Sequence, residues 1–318
     1  MSDLGHVLVL AGGLSYEREV SLRSGRRVSE VLRAAGVDVE ARDTDASLVP
    51  SILADPPEAV FVTLHGGAGE DGAIRSVLEL LNVPYVGADP DACRVAFDKP
   101  TAKAVVRSVG LHTPESVTLP KETFHDLGAT VVLGRIVERL GLPLFVKPAR
   151  GGSALGASIV RTAEDLPAAM VGCFAYGDTA LIEQYVEGVE VAVSVVDLGN
   201  GPEALPAVEI VPDEGVYDYA ARYTAGHTEF FAPARLSPEA AAACADTAVT
   251  AHTALGLRDI SRTDLIVDAA GVPHFLEVNV APGMTETSLL PMAAEAAGQD
   301  LGDLCRALLQ NAAIRSRP

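Results

Sequence analysis

Tryptophan is missing from this 318-residue chain, and aromatic residues make up only 5 % of it. Few aromatic rings means no stacking platform for single-stranded nucleic acid. Basic residues are also scarce: 24 Lys and Arg stand against 43 Asp and Glu, a net charge of −19. That balance argues against nonspecific nucleic-acid binding and against an anionic membrane surface, while leaving room for a local basic pocket. The four cysteines, Cys93, Cys173, Cys244 and Cys305, share no zinc-ligand or redox spacing. They read as buried, unpaired thiols in a reducing compartment. No basic segment precedes the first apolar run, Val7 to Ala11, and that run is too short for a signal peptide or a membrane span. Together these absences predict a soluble cytoplasmic protein with neither nucleic acid nor membrane as partner.

Apolar residues are plentiful, at 48 %. The length exceeds what one hydrophobic core usually fills, so two or three domains are expected. The first unit alternates strand and helix. Strands are predicted over 7–10, 37–41, 59–64 and 84–86, with helices over 17–35 and 72–81. Such alternation implies a parallel sheet covered on both faces. From 99 to 187 the pattern changes to a small α+β lobe. A helix over 99–109 leads through a proline-broken segment to strands over 144–147 and 157–160, a helix over 163–173 and a strand over 180–185. From 188 to 318 strands are expected over 189–197, 204–211, 259–267 and 272–278, with helices over 237–256 and 299–311. The polar, tyrosine-rich stretch 212–228 reads as a mobile loop.

Chemistry concentrates near the C-terminus. Ser261-Arg262-Thr263-Asp264 opens one apolar strand, and Leu276-Glu277-Val278-Asn279 closes the next, with a turn at 269–271. Charged side chains among Ile, Val, Leu and Phe are costly unless paired or bound to a cation. Strand alternation puts Arg262 with Asp264 on one face, and Glu277 with Asn279 on one face. If Asp264 lies opposite Glu277, all four meet; a slip of one residue would separate them. Two carboxylates and an amide oxygen suit Mg²⁺ carrying nucleotide phosphates. The other reading is an edge hairpin with solvated charges.

Further motifs lie at strand ends. Gly12-Gly13-Leu14-Ser15-Tyr16-Glu17 joins a strand to a helix start, where ligands bind in open α/β sheets. Glu17 is there either as a partner of the helix dipole or as a contact for a ligand ammonium. His65 begins a run rich in glycine, HGGAGEDG, and is either structural or ligand-binding. Lys147 precedes Arg150-Gly151-Gly152-Ser153, which reads as a phosphate-binding loop or as a surface hairpin; it is not a Walker motif. Glu183 to Glu190 marks a passage between lobes, carrying either exposed hinge charges or groups that read adenine and ribose. Three of the seven tyrosines fall at Tyr217, Tyr219 and Tyr223, in a lid or a packed loop. Gly283 permits close backbone approach, and its N–H with Arg262 could stabilise an oxyanion. Ser288 caps a helix, binds a substrate carboxylate, or does both.

These blocks keep one order: GGLSYEREVSLRSG, LHGGAGEDG, FDK, LFVKPARGGSALG, LIEQYVEGVE, YDYAARY, SRTDLI and LEVNVAPGMTETSLLPMAA. Nearly end to end, the chain resembles the D-alanine–D-alanine ligases of the ATP-grasp superfamily. The resemblance implies a mixed α/β and α+β fold: an N-terminal parallel α/β (pre-ATP-grasp) domain, followed by a two-lobed ATP-grasp fold. The implied units are 1–98 for substrate binding, 99–187 as the central lobe and 188–318 as the C-terminal lobe with the metal and catalytic site. The implied reaction joins two D-alanines at the expense of ATP, through an acylphosphate, for a peptidoglycan precursor.

By the same resemblance, Lys99, Lys147 and Arg222 bind ATP phosphates, and Glu183, Tyr185, Val186 and Glu190 line the adenine and ribose pocket. Asp264, Glu277 and Asn279 hold two Mg²⁺, with Mn²⁺ as the alternative ion. Arg262 and Gly283 form the oxyanion site. Glu17 binds the first D-alanine's ammonium and His65 lies near its carboxylate. Ser288 and Leu289 meet the second D-alanine. Glu17, Ser153 and Tyr223 form a bridge that fastens the lid. A homodimer through the N-terminal domain is implied. Arg222 stands where a lysine is commoner, and Ala154 replaces a serine, which leaves room for a related ligase with other amino-acid substrates. A non-catalytic nucleotide-binding protein is the third reading, and the intact Arg262, Asp264, Glu277 and Asn279 set argues against it.

Overall fold

The structure is a computed structural model that describes residues 4–212 and 228–315. Short β-branched runs form the N-terminal parallel sheet. Its strands are β1 (Val7–Leu10), β2 (Val39–Arg42), β3 (Ala59–Val62) and β4 (Tyr85–Val86), in the order β2-β1-β3-β4. Burial on both faces explains why β1 and β3 read as unbroken apolar runs rather than as alternation. One face is covered by α2 (Leu48–Ala54) and α3 (Ala73–Leu80), the other by α1 (Arg18–Ala34).

Two helices follow. In α4 (Pro90–Phe97) and α5 (Lys99–Ser108), aspartates at Asp89 and Asp98 accept N-cap hydrogen bonds and proline sits in the first turn, so each start is written in the sequence. The central lobe holds β5 (Ser116–Pro120), α6 (Lys121–Leu127), α7 (Ala129–Leu140), β6 (Leu144–Pro148), β7 (Ser158–Val160), α8 (Leu166–Phe174) and β8 (Thr179–Gln184). Its antiparallel sheet runs β5-β8-β6-β7. The proline-broken segment therefore carries a strand and two helices.

The C-terminal sheet is antiparallel throughout. It comprises β9 (Val189–Val196), β10 (Glu203–Ala204), β11 (Val208–Pro212), β12 (Thr228–Phe231), β13 (Ile260–Val267) and β14 (Pro273–Asn279). Its helices are α9 (Pro238–Ala254), α10 (Leu289–Ala296) and α11 (Leu301–Arg315). One face packs on α4, α5 and α9. The other shares a continuous core with α10, α11, α1 and the N-terminal sheet. The central lobe has a core of its own. The site thus lies where three sheets converge. The four cysteines are free and buried. Among the described residues no helix is long and apolar enough to cross a membrane.

Candidate active site

The β13–β14 hairpin is the centre. Asp268 Oδ1 closes its turn by accepting from the Ala270 and Val272 N–H groups at 2.9 and 3.0 Å. The register places Asp264 opposite Glu277 and Arg262 opposite Asn279. It holds because of a β-bulge: Leu265 pairs with Phe275, so Leu276 is the extra residue. Strict alternation would have turned Glu277 inward with Phe275. The bulge turns it out beside Leu276, and both line one cavity. Arg262 grips Asp264 with two bonds, Nε to Oδ1 at 2.7 Å and Nη2 to Oδ2 at 2.8 Å, and the Asn279 amide reaches Asp264 Oδ2 at 3.4 Å. A fork of this kind fixes the carboxylate plane as well as its charge.

Two cavities meet at this hairpin. The larger, about 450 Å³, lies between the central and C-terminal sheets. Lys99, Lys147, Glu183, Tyr185, Val186, Glu190, Asp264 and Glu277 all line it, so the sequence-selected nucleotide residues come together. Its walls include Phe145, Ile159, Ile210, Ile266 and Leu276, an apolar slot of a kind that suits a flat base. Lys99 donates to the Gly151 carbonyl and pairs with Glu277 at 3.1 Å.

Glu183 is only 1 % exposed and pairs with two ammoniums, Lys147 at 2.7 Å and Lys103. Burial alone would raise its pKa, yet Lys147 and Lys103 together pull it below the ordinary carboxylate value. Burial lowers Lys147, but Glu183 and Glu277 outweigh it and raise its pKa. Burial pushes Lys103 down to about 8, opposed by Glu183. Sequence reading missed Lys103. The one available signal was its spacing of four from Lys99 on one helix face.

The smaller cavity, about 70 Å³, is lined by Glu17, His65, Ser153, Arg262, Asn279, Gly283, Ser288 and Leu289, which gathers the amino-acid residues. Glu17 stands at the start of α1 without a capping bond, and its Oε1 accepts from the Ser153 hydroxyl of the central lobe. Two glycines admit it: a Cβ at Gly66 would approach Glu17 Oε2 to 2.5 Å, and one at Gly152 to 2.9 Å. Ser153 takes φ +54°, and Ala154 +53°, left-handed conformations that cost about 1–3 kcal/mol each for non-glycine residues.

His65 is buried, and its Nε2 lies 3.0 Å from Ser24 Oγ. That same Oγ accepts from the Met284 N–H at 3.1 Å. The ring also bonds the Ala281 backbone. Burial, with Arg262 nearby, lowers the His65 pKa to about 4, so the ring is neutral at pH 7. The ring ties the HGGAGEDG loop to Ala281 directly and to Met284 through Ser24. Ser288 begins α10 but makes no side-chain cap; its Oγ accepts from Thr285 N at 2.9 Å and lies where a Cβ on Gly283 would meet it at 2.7 Å. Ser24 and Glu70, which also lines this cavity, escaped sequence reading. Tyr223 and Arg222, with the stretch expected to form the lid, lie outside the described residues.

No cluster of three His, Cys, Asp or Glu side chains is placed to hold a metal ion among the described residues. The fit to Mg²⁺ rests instead on Asp264, Glu277 and the Asn279 amide. These are all-oxygen donors in the small number that suits a magnesium completed by phosphate and water.

Comparison with known proteins agrees with this geometry. Family models for the D-ala D-ala ligase N-terminus and C-terminus match residues 38–88 and 105–310. The D-alanine–D-alanine ligase of Bordetella avium (strain 197N) is 42 % identical over 98 % of this chain and 96 % of its own. That of Anaeromyxobacter sp. (strain K) is 41 % identical over 98 % and 97 %. Among solved structures, the VanG D-Ala:D-Ser ligase from Enterococcus faecalis superimposes with TM-score 0.82 at 27 % identity, covering 97 % of this chain and 99 % of its own. The Bacillus anthracis D-alanine–D-alanine ligase complexed with ATP gives TM-score 0.80 at 27 % identity, over 98 % and 97 %. With the two cavities meeting at the Arg262–Asp264 fork and nearly the whole chain matched, this protein belongs to the D-alanine–D-alanine ligase family.

Proposed function

We infer that the protein is an ATP-dependent ligase that joins two D-alanines into a dipeptide for peptidoglycan synthesis. The observation that carries this reading is the hairpin that serves both cavities. Asp264 and Glu277 line the large one, and their neighbours Arg262 and Asn279 line the small one. A nucleotide's terminal phosphate and an amino acid's carboxylate would meet there.

In the first step the carboxylate of one D-alanine attacks the γ-phosphorus of ATP. The bond to the β-phosphate oxygen breaks, giving ADP and an acylphosphate. Lys99 and Lys147 face the phosphates, while Glu183, Tyr185, Val186 and Glu190 frame the base and ribose; Glu183 acts largely by holding Lys147. Asp264, Glu277 and Asn279 would hold two Mg²⁺, which supply charge neutralisation to the triphosphate. In the second step the neutral amine of the other D-alanine attacks the acyl carbon. Arg262 and the Gly283 N–H face the oxyanion as it forms, a role in which fixed donors contribute most. The C–O bond to phosphate then breaks, phosphate leaves and the new amide nitrogen loses a proton. Ser288 and Leu289 position the second amino acid, and Ser153 holds Glu17.

The three functional units are taken as 1–98, 99–187 and 188–318, with α4 and α5 packed on the C-terminal sheet. Free, buried thiols at all four cysteines support a reducing, cytoplasmic setting. Exposed Leu53 and Leu80 give the N-terminal unit apolar surface for a homodimer. The test is ADP release with single and paired D- and L-amino acids, D-serine and D-lactate included, with product masses measured. D-alanine alone is expected to drive turnover to D-alanyl-D-alanine; its failure to do so would overturn the reading.

A further inference from the structure

Glu70 is the buried acid in the small cavity with no role so far. It is 6 % exposed. Oε2 accepts from the Gly66 N–H at 2.8 Å, and Oε1 accepts no hydrogen bond among the described residues. Gly66 is the same glycine whose missing side chain makes room for Glu17 Oε2. Two carboxylates thus lie against one residue, close enough for the charge on Glu17 to act on Glu70. They also share one cavity with His65, Ser153 and Arg262.

Nearby cations do not account for the arrangement. Lys99 is committed to Gly151 and Glu277. Arg75 donates to the carbonyls of Gly69 and Val280. Burial, and then the charge on Glu17, push the Glu70 pKa up to about 8. A cationic guest between the two acids would relieve that repulsion and complete the hydrogen bonding of Oε1.

We propose that Glu70 is a substrate-binding residue that, together with Glu17, grips the α-ammonium of the first, phosphate-accepting amino acid. This rests on the ligase reading above and goes one step further. The enzyme must distinguish two copies of one molecule. The donor's nitrogen has to stay protonated, so that it cannot attack an acylphosphate; the acceptor's has to be a free base. Two carboxylates around the donor nitrogen hold its proton and so sort the copies by charge. An α-hydroxy acid, with no cation to offer, would be refused at the donor position.

The experiment compares Glu70→Gln with the parent enzyme. Initial rates are measured against D-alanine at saturating MgATP, resolving the donor and acceptor KM values, and against MgATP at saturating D-alanine. Loss of a charged contact predicts a donor KM raised about 10- to 100-fold. The acceptor KM, the MgATP KM and the thermal midpoint should stay close to parental values. Glu70→Asp, which keeps the charge, should recover much of the donor affinity. An unchanged donor KM in Glu70→Gln, or a change confined to MgATP, overturns the proposal. Should neither variant fold, a crystal structure of the parent with ADP and D-alanine decides: a donor nitrogen beyond hydrogen-bond reach of Glu70 overturns it. A parent enzyme that ligates no D-alanine would defeat the ligase reading instead, and is seen in the control arm.

Discussion

Ser24 and His65 form a relay, with the Ser24 hydroxyl 3.0 Å from His65 Nε2 while it accepts from the Met284 N–H at 3.1 Å. A helix of the N-terminal domain thereby holds the backbone that presents Gly283. Ser24→Ala leaves two buried polar groups unpaired, at about 1–3 kcal/mol each. The expected outcome is a fall in kcat of about 10- to 100-fold with little change in the MgATP KM, measured by steady-state ADP release. A shift in MgATP KM alone would place the relay elsewhere in the cycle.

The His65 ring also sets a pH signature. Its pKa falls from the ordinary value of 6.5 to about 4 on folding. Above pH 6.5 neither state is protonated. Below it the unfolded chain binds a proton that the folded ring refuses, so stability falls as pH drops towards 4. The loss approaches about 3 kcal/mol. Comparing denaturant midpoints of the parent and His65→Gln across pH 4–8 isolates this contribution. The difference should shrink towards acid and stay flat above pH 7.

Glu183 neutralises two lysines at once, so its loss strands both. Glu183→Gln should destabilise the fold by about 3–5 kcal/mol, as removal of one member of a buried ion pair does, and should raise the MgATP KM. Adding Lys103→Met removes the surplus ammonium and should restore part of the stability. Chemical unfolding of the single and double variants measures the coupling.

Asp264 tests the ion assignment. Asp264→Ala should lower turnover at least about 100-fold, since it removes a phosphate-side charge and leaves Arg262 without its fork partner. Chelating divalent cations should stop ADP release in the parent, and added Mg²⁺ should restore it. Full activity in Asp264→Ala would sink the assignment.

The strand and helix sequence was largely legible because burial on both faces leaves long apolar signals, as in β1, β3 and β13. The segment 116–140 was not: Pro120 and Gly128 cut it into short pieces, although Leu133, Ile136 and Leu140 stand at the helical spacing that marks the buried face of α7. At the site, Asp264, Glu277 and Asn279 could be picked by charge among apolar neighbours. The bulge that aims Glu277 could not, because nothing in Phe275-Leu276-Glu277 distinguishes it from a regular strand. Ser24, Glu70 and Lys103 were silent for a related reason. Their meaning lies in what tertiary packing places beside them, and a serine, an acid or a lysine on a helix or loop looks like solvated surface until that packing is known.

The division of the cores has a mechanical result. The N-terminal sheet and the C-terminal sheet are welded through α1, α10 and α11, whereas the central sheet keeps a separate interior. The chain passes between these two bodies near 109–115 and 185–188. Ser153 belongs to the central lobe and Glu17 to the welded pair, so the hydrogen bond between them joins two separately packed interiors across the small cavity.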